Sequence, residues 1–278
     1  MKTEIHLVSH SKDPDIRQNS SSGGFCKSFL TYLVESKTVD YVIMTRMKED
    51  STEPESIITN NVSKIQTRSN SIYEYHDQTK ILKNIEPDKK YCFIGLPCFV
   101  RYIKNQQIKH NKYKNVFPLI SILCNQAPKS SFKNSLMNEN NIQIDQVSEM
   151  DYRHGEYPGE IIVIMKDESL KNLGLFKISW AKHNDPFFKH APDCCLNCEL
   201  FESVFADIVV GDPWLTKYET DTKGWTKVIV RNHKSMNLIQ DSEKQNYIIT
   251  QILDESKKFF AYKHTKEFKK YNQRKYSQ

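Results

Sequence analysis

The chain has 278 residues, 38% of them hydrophobic, with a mean hydropathy of −0.64. That suits one large domain or two small ones with an ordinary core, and it excludes a helical membrane protein, because no apolar run approaches the roughly 20 residues a span requires. The net charge of +6 does not read as a nucleic-acid footprint: residues 257–278 hold eight Lys or Arg against the single acid Glu267, so the other residues sum to −1 and the excess belongs to the C-terminal tail.

In chain order, residues 1–19 are polar with one strand, Ile5-His-Leu-Val8. The opening M-K-T-E-I-H lacks the basic start and apolar stretch of a secretory signal, so a cytoplasmic, reducing setting is expected. S-S-S-G-G (20–24) then precedes a segment with apolar residues at 25, 29, 30, 33 and 34, which is helical spacing. A strand over 39–44 follows, then irregular hairpin or loop material over 47–75 and a helix around 77–86. A strand at 91–95 leads into G-L-P-C (95–98), with a helix from 99 to about 107. A strand at 117–123 leads into Cys124, with a helix near 130–140. Strand, loop and helix in repetition predict an α/β layer with parallel strands, whose C-terminal loops carry ligands.

After about 145 the pattern changes. Strands are expected at 146–152, 161–165 and 175–179, with the turn R-H-G-E-Y-P-G (153–159) between the first two. An irregular stretch, 181–204, runs into A-D-I-V-V-G-D-P-W (206–214). One more strand, 227–230, and two C-terminal helices complete the chain. The expectation is therefore one α/β unit over 1–278: a mixed sheet with flanking helices, with an N-terminal α/β portion of about 1–145 and an α+β, cysteine-bearing portion of about 146–278.

Seven cysteines, an odd number, do not form a small disulfide scaffold. Cys98 and Cys124 each follow a predicted buried strand, and Cys195 and Cys198 form a C-x-x-C just before another. Four thiolates on strand-end loops could converge on an iron–sulfur cluster or on zinc. Structural zinc generally takes two close pairs, whereas one pair and two widely spread singles need a preformed fold. Cys98 and Cys124 could equally be small buried hydrophobes. Spacing alone leaves all three readings open. Cys26 and Cys92 fall inside a predicted helix and strand and read as core; Cys194 could replace Cys195 by a one-residue shift. His183 and His190 lie near the C-x-x-C; one could ligate a metal, and the default reading is surface loop residues.

Glycines before a helix let backbone approach an anion, and the helix start offers free N–H groups, so Ser20, Ser21, Ser22, Gly23 and Gly24 form a candidate phosphate cradle. A plain serine cap with a glycine turn fits the same residues. No Walker or dinucleotide fingerprint is present. Arg153 on its glycine-built turn is a second candidate for a cofactor phosphate or carboxylate, or a solvated turn residue.

These segments together resemble the beta-subunit family of coenzyme F-420 hydrogenases and dehydrogenases. R-Q-N-S-S-S-G-G-F (17–25) with V-D-Y-V (39–42) is similar to the family's Ser-Ser-Gly-Gly helix and Val-Asp strand; G-L-P-C looks like its Gly-Thr-Pro-Cys; Y-R-H-G-E-Y-P-G, C-L-N-C, A-D-I-V-V-G-D-P-W and K-G-W-T-K-V-I-V look like its later motifs. The resemblance implies an oxidoreductase with FAD held in part by Ser20–Gly24 and one 4Fe–4S cluster on Cys98, Cys124, Cys195 and Cys198. Electrons would pass between an iron–sulfur carrier, such as a ferredoxin or a partner subunit, and a hydride-accepting substrate such as coenzyme F-420. A rival within the family is a role in cell-surface polysaccharide biosynthesis; a rival outside it is a non-catalytic zinc-stabilised binding protein. The family's N-terminal ferredoxin segment is not in this sequence. Leu96 and Phe99 stand where the family has polar groups, and Asn125-Gln126 where His-Gly is frequent.

Overall fold

The computed structural model describes residues 4–175, 189–196 and 198–253. Eleven strands are formed among them: β1 (Ile5–Ser11), β2 (Tyr41–Met47), β3 (Pro54–Thr59), β4 (Tyr91–Gly95), β5 (Val116–Ile122), β6 (Val147–His154), β7 (Glu160–Met165), β8 (Leu170–Leu175), β9 (Ile208–Gly211), β10 (Thr226–Val230) and β11 (Ile248–Ile252). Eight build one sheet in the order β11-β1-β10-β9-β5-β4-β2-β3. Its centre is parallel, β2 with β4, β4 with β5 and β5 with β9, and its outer pairs are antiparallel. The protein is thus α/β with a mixed sheet and flanking helices.

The central strands are apolar at consecutive positions because both faces are covered. Val42, Cys92, Ile120 and Ile208 turn to one face, where α2 (Phe25–Glu35) packs Phe25, Phe29 and Leu33 on them. Their chain neighbours Ile43, Phe93, Leu119 and Val209 turn to the other, where α4 (Pro97–Lys109) packs Val100 and Ile103. Truncating a fully buried phenylalanine such as Phe29 in such a core costs about 3–5 kcal/mol. The strands β6, β7 and β8 form a separate antiparallel sheet. Its apolar face, with Met150, Tyr152 and Val163, packs on Met137 of α5 (Ser131–Glu139).

Short helices fill the connections: α1 (Pro14–Gln18), capped by Asp13, α3 (Val62–Gln66), α6 (Asp193–Leu196) and α7 (Thr216–Glu219). α8 (His233–Lys244) is capped by Asn232, whose side chain accepts from the Ser235 amide. Among the described residues no helix is long and apolar enough to cross a membrane.

Three expectations need correction. Of the segment 47–75, expected as irregular hairpin or loop, the hairpin forms, with β3 pairing antiparallel to β2, but the helix α3 that follows is unexpected. The helix expected at 77–86 is a 3-10 turn over Lys80–Asn84. Leu82 is buried in the core with Ile81 packed beside it, and Pro87 prevents the turn's continuation. The chain after α8 does not go straight into a second helix: Asn246 takes a left-handed φ of 66°, reverses the chain, and β11 pairs with β1. The expected second helix, the basic tail, most of the strand at 175–179 and His183 lie outside the described residues.

Candidate active site

The C-terminal ends of the parallel strands open onto one cavity of about 330 Å³. Thr45 of β2, Gly95 of β4, Ile122 of β5 and Gly211 of β9 all reach its wall. This is the position at which open parallel sheets take ligands.

One side of the cavity is the start of α2. Gly24, the residue before the helix, has φ 78° and supplies no side-chain cap. The first-turn amides therefore lack an intrahelical partner, and the positive end of the helix dipole faces the cavity at Phe25, Cys26 and Lys27. Lys27 is buried, its Nζ donates to the Asn19 carbonyl at 2.7 Å, and burial pulls its pKa down to about 8 against the pull of Asp151. Ser20, Ser21 and Ser22 line the same wall. Their hydroxyls already serve the fold: Ser20 Oγ donates to the Ile16 carbonyl at 2.5 Å, Ser21 Oγ accepts from the Ser71 amide at 3.0 Å, and Ser22 Oγ donates to Asp212. Gly23 also has φ 78°, and a Cβ there would stand 2.6 Å from the Gly224 carbonyl oxygen. Its glycine is required by that close packing.

Arg153 holds this turn in place. It is only 4% exposed. Its Nε donates to the Pro158 carbonyl at 2.7 Å, Nη2 to the Ser21 carbonyl at 2.7 Å, and Nη1 to Asp212 Oδ2 at 3.1 Å and Ser22 Oγ at 3.3 Å. Burial opposes its charge, but Asp212 and the neighbouring tyrosines keep it protonated. One guanidinium thus ties the Ser21-Ser22 turn, the β6–β7 turn and the end of β9. A second clamp lies behind it, where Arg17 pairs with Asp221 at 2.9 Å and Trp225 Nε1 donates to the same carboxylate at 2.8 Å.

Of the candidate cluster cysteines, Cys124 lines the cavity, whereas Cys98, Cys194, Cys195 and Cys198 are not part of its lining. Cys98 sits in the first turn of α4, not in a free loop, because Pro97 starts the helix one residue earlier; it is exposed. Partial desolvation pushes its thiol up to about 11, with the neighbouring Cys198 and Cys194 adding to the shift. Cys195, on α6, is pushed up to about 12 by burial and by Cys194 and Cys198. Cys98, Cys194, Cys195 and Cys198 are therefore electrostatic neighbours. Cys124 lines the cavity, and its amide donates to the Phe201 carbonyl at 2.8 Å. Among the described residues no three His, Cys, Asp or Glu are grouped to hold a single metal ion. A four-iron cubane spaces its thiolates more widely than one ion does, so a soft, all-sulfur set of donors fits the cluster in donor chemistry. Cys92 is buried core, as expected; Cys26 is half-buried and lines the cavity. His190 approaches Ser131 Oγ at 2.9 Å.

Sequence reasoning missed three further groups. Lys27 looked like one polar position of an amphipathic helix. Glu74 lines the cavity beside Lys133, 3.1 Å away. Gln78 comes from a segment with no motif at all. Asn70 Oδ1, Gln78 Oε1 and Asn125 Oδ1, all on cavity residues, are buried acceptors without a hydrogen-bond partner among the described residues. Each lies behind the cavity wall, with almost no surface open to the cavity.

Comparison with known proteins accords with this architecture. Residues 7–83 match the N-terminal part, and residues 88–256 the C-terminal part, of the family described as coenzyme F420 hydrogenase/dehydrogenase, beta subunit. The chain is 23% identical over 252 residues to the F420-dependent formate dehydrogenase subunit beta of Methanocaldococcus jannaschii, covering 87% of this chain and 60% of that protein's length. The fold is similar, with a TM-score of 0.74 and 17% identity, to a chain of the F420-reducing [NiFe] hydrogenase complex from Methanosarcina barkeri, covering 98% of this chain and 90% of that one. The two family matches leave little of the chain outside them, and the chain belongs to the family of coenzyme F420 hydrogenase and dehydrogenase beta subunits.

Proposed function

We propose that this protein is a flavin and iron–sulfur oxidoreductase that exchanges electrons between an iron–sulfur carrier and a hydride-accepting substrate, coenzyme F-420 by analogy with its relatives. The carrying observation is the cavity at the ends of the parallel strands, whose wall holds an uncapped helix N-terminus and Cys124, with Cys98 two residues beyond the lining residue Leu96. Gly24 and the first-turn amides of α2 hold the flavin pyrophosphate, with Lys27 supplying positive charge and Ser20–Ser22 shaping the turn. Arg153 acts by fixing that turn, since Asp212 neutralises much of its charge. Cys98, Cys124, Cys195 and Cys198 hold one 4Fe–4S cluster.

When bound, the flavin supplies the exchange between two-electron hydride chemistry and one-electron carriers. The chain's own part is to orient the ring towards the Cys124 side of the cavity and to exclude water from it. A partner subunit or a ferredoxin supplies or removes electrons, and a reducing cytoplasm belongs to the same reading. Anaerobic purification followed by an absorption spectrum, flavin extraction, and iron and sulfide analysis tests it. The expected result is about one FAD and four irons with matching sulfide per chain. About one zinc per chain without sulfide, or a colourless protein that takes up no flavin, overturns the reading.

A further inference from the structure

Between Asp88 and Glu139 the chain holds nine Lys or Arg and no acid. Residues outside the tail sum to −1, so the rest of the body is acidic and positive charge is concentrated in this stretch. The same stretch carries Cys98 and Cys124. Its outer element is α4, whose 13 residues extend for about 20 Å from Pro97. Phe99, Val100 and Ile103 turn one face of α4 into the core. Cys98, Arg101, Tyr102, Asn105, Ile108 and Lys109 share the opposite face by helical spacing, and all six are exposed. Ile108 is 78% exposed and Tyr102 40%. Lys104 flanks this stripe. The ion pairs of the stretch involve Lys89, Lys129 and Lys133; among the described residues Arg101, Lys104 and Lys109 form none. The nearest acids in sequence, Glu86 and Asp88, precede β4, at the opposite end of the sheet from Cys98. A second exposed apolar pair, Val204 and Phe205, comes just before Ala206, which packs in the same core cluster as Val100 and Ile103.

We propose that this stripe of α4 is the docking surface for an acidic iron–sulfur carrier protein. The inference rests on the cluster reading above and deepens it by naming the face that meets the carrier and the carrier's charge. Electron exchange between two clusters is short-ranged, so a carrier has to sit beside a ligand thiol that reaches the surface, and Cys98 does. Arg101 and Tyr102, one turn from Cys98, are residue types enriched in interfaces, while Lys104 and Lys109 suit the steering of an anionic partner. Like charge argues against two other occupants. The tail, with eight cations and one acid, is repelled by this face, and so is the same face of a second copy. An anionic membrane matches the charge, but the stripe offers only Tyr102 and Ile108 to bury in it, far less than an interfacial helix presents.

The test uses full-length, cofactor-loaded protein and a small, strongly acidic 4Fe–4S ferredoxin as the probe. Binding is read by calorimetry at low and high salt, and contact by zero-length carbodiimide cross-linking with peptide mapping. Arg101→Glu, Lys104→Glu and Lys109→Glu are combined in one variant; Lys64→Glu, Lys166→Glu and Lys171→Glu, all at exposed positions elsewhere, make the control with the same change of charge. Iron and sulfide content is measured on all three proteins. The native chain should bind the ferredoxin, less tightly as salt rises, and cross-link through Lys104 or Lys109. The α4 variant should bind roughly tenfold to a hundredfold more weakly at low salt with its iron and sulfide unchanged, and the control should lose much less. Equal weakening in both variants marks a general charge effect and overturns the assignment. Cross-links confined to the tail lysines overturn it too, as does a dimer of the native chain that the α4 variant breaks. Phosphatidylserine vesicles that bind the native chain but not the α4 variant, with no binding of ferredoxin, assign the face to a membrane instead. No binding of ferredoxin by a chain with its full iron and sulfide refutes this inference alone. A native chain without iron and sulfide refutes the cluster reading first, and this inference falls with it.

Discussion

Replacing Arg153 with Met should destabilise the protein severely, and the geometry gives the size. Arg153 and Asp212 have side chains only 4% and 15% exposed and meet at 3.1 Å. Removing one partner of such a pair strands the other charge, which costs about 3–5 kcal/mol. The Ser21 and Pro158 carbonyls lose their donors as well. Set against a total stability of about 5–15 kcal/mol, that is a fifth or more of the whole. At about 2–4 °C per kcal/mol for a domain of this order, the melting temperature should fall by roughly 6–20 °C. Urea unfolding of Arg153→Met, Asp212→Asn and the double variant gives the assay. Because most of the cost is the stranded carboxylate, the double variant should be more stable than Arg153→Met alone. Strict additivity of the two single losses would refute the clamp. Normal stability combined with lost flavin affinity would instead make Arg153 a direct ligand of the cofactor.

The remaining predictions concern the cysteines, Glu74 and two glycines. Cys98→Ser, Cys124→Ser and Cys198→Ser should each lower iron and sulfide per chain, read by colorimetric analysis, while Cys92→Ser leaves both unchanged; Cys194→Ser and Cys195→Ser compared side by side identify which of the adjacent pair is the ligand. Burial raises the Glu74 pKa above its usual 4.5 despite Lys133. The folded state therefore binds the proton more tightly than the unfolded chain does, and the Glu74 contribution to stability, full below pH 4.5, is lost as pH rises through the raised pKa. Glu74→Gln should flatten that fall in urea titrations between acid and neutral pH; an unchanged slope rejects it. Gly23→Ala combines a left-handed φ of 78° with a 2.6 Å approach to the Gly224 oxygen, whereas Gly155→Ala shares the φ but meets nothing within 4 Å. The first should lose clearly more stability than the roughly 1 kcal/mol of strain expected at the second, and equal losses would show that the Gly23 turn is not tightly packed.

Much of the fold was legible because both faces of the central strands are buried. Continuous apolar runs at 91–95 and 117–123 sit within a residue of β4 and β5, and the apolar spacing after Gly24 gave the start of α2. What failed was governed by long-range pairing. β11 is an edge strand whose Ile249 and Ile252 stay exposed, so its pattern does not alternate, and only its register with β1 makes it a strand. The helix expected at 77–86 had adequate local propensity, but its side chains are recruited elsewhere: Asp77 caps the Thr79 amide, Leu82 enters the core, and Gln78 turns to the end of β4.

The candidate site divides along the same line. Its cysteines and the glycine turn announce themselves because their residue types are rare and their backbone demands are local. The groups that set the polarity of the cavity do not. Lys27, Glu74 and Gln78 are ordinary residues whose meaning comes from burial and from partners far along the chain: Asn19 for Lys27, Lys133 for Glu74, and Thr45 and Ile94 for Gln78. The motif glycine Gly95 illustrates the difference. In sequence it is a turn residue before a cysteine. In the fold it is the gap that a glutamine 17 positions earlier fills with its amide oxygen. A motif read along the chain therefore captures the rare residue types and the local backbone demands, while the polarity of the cavity wall is written in contacts that exist only once the sheet has closed.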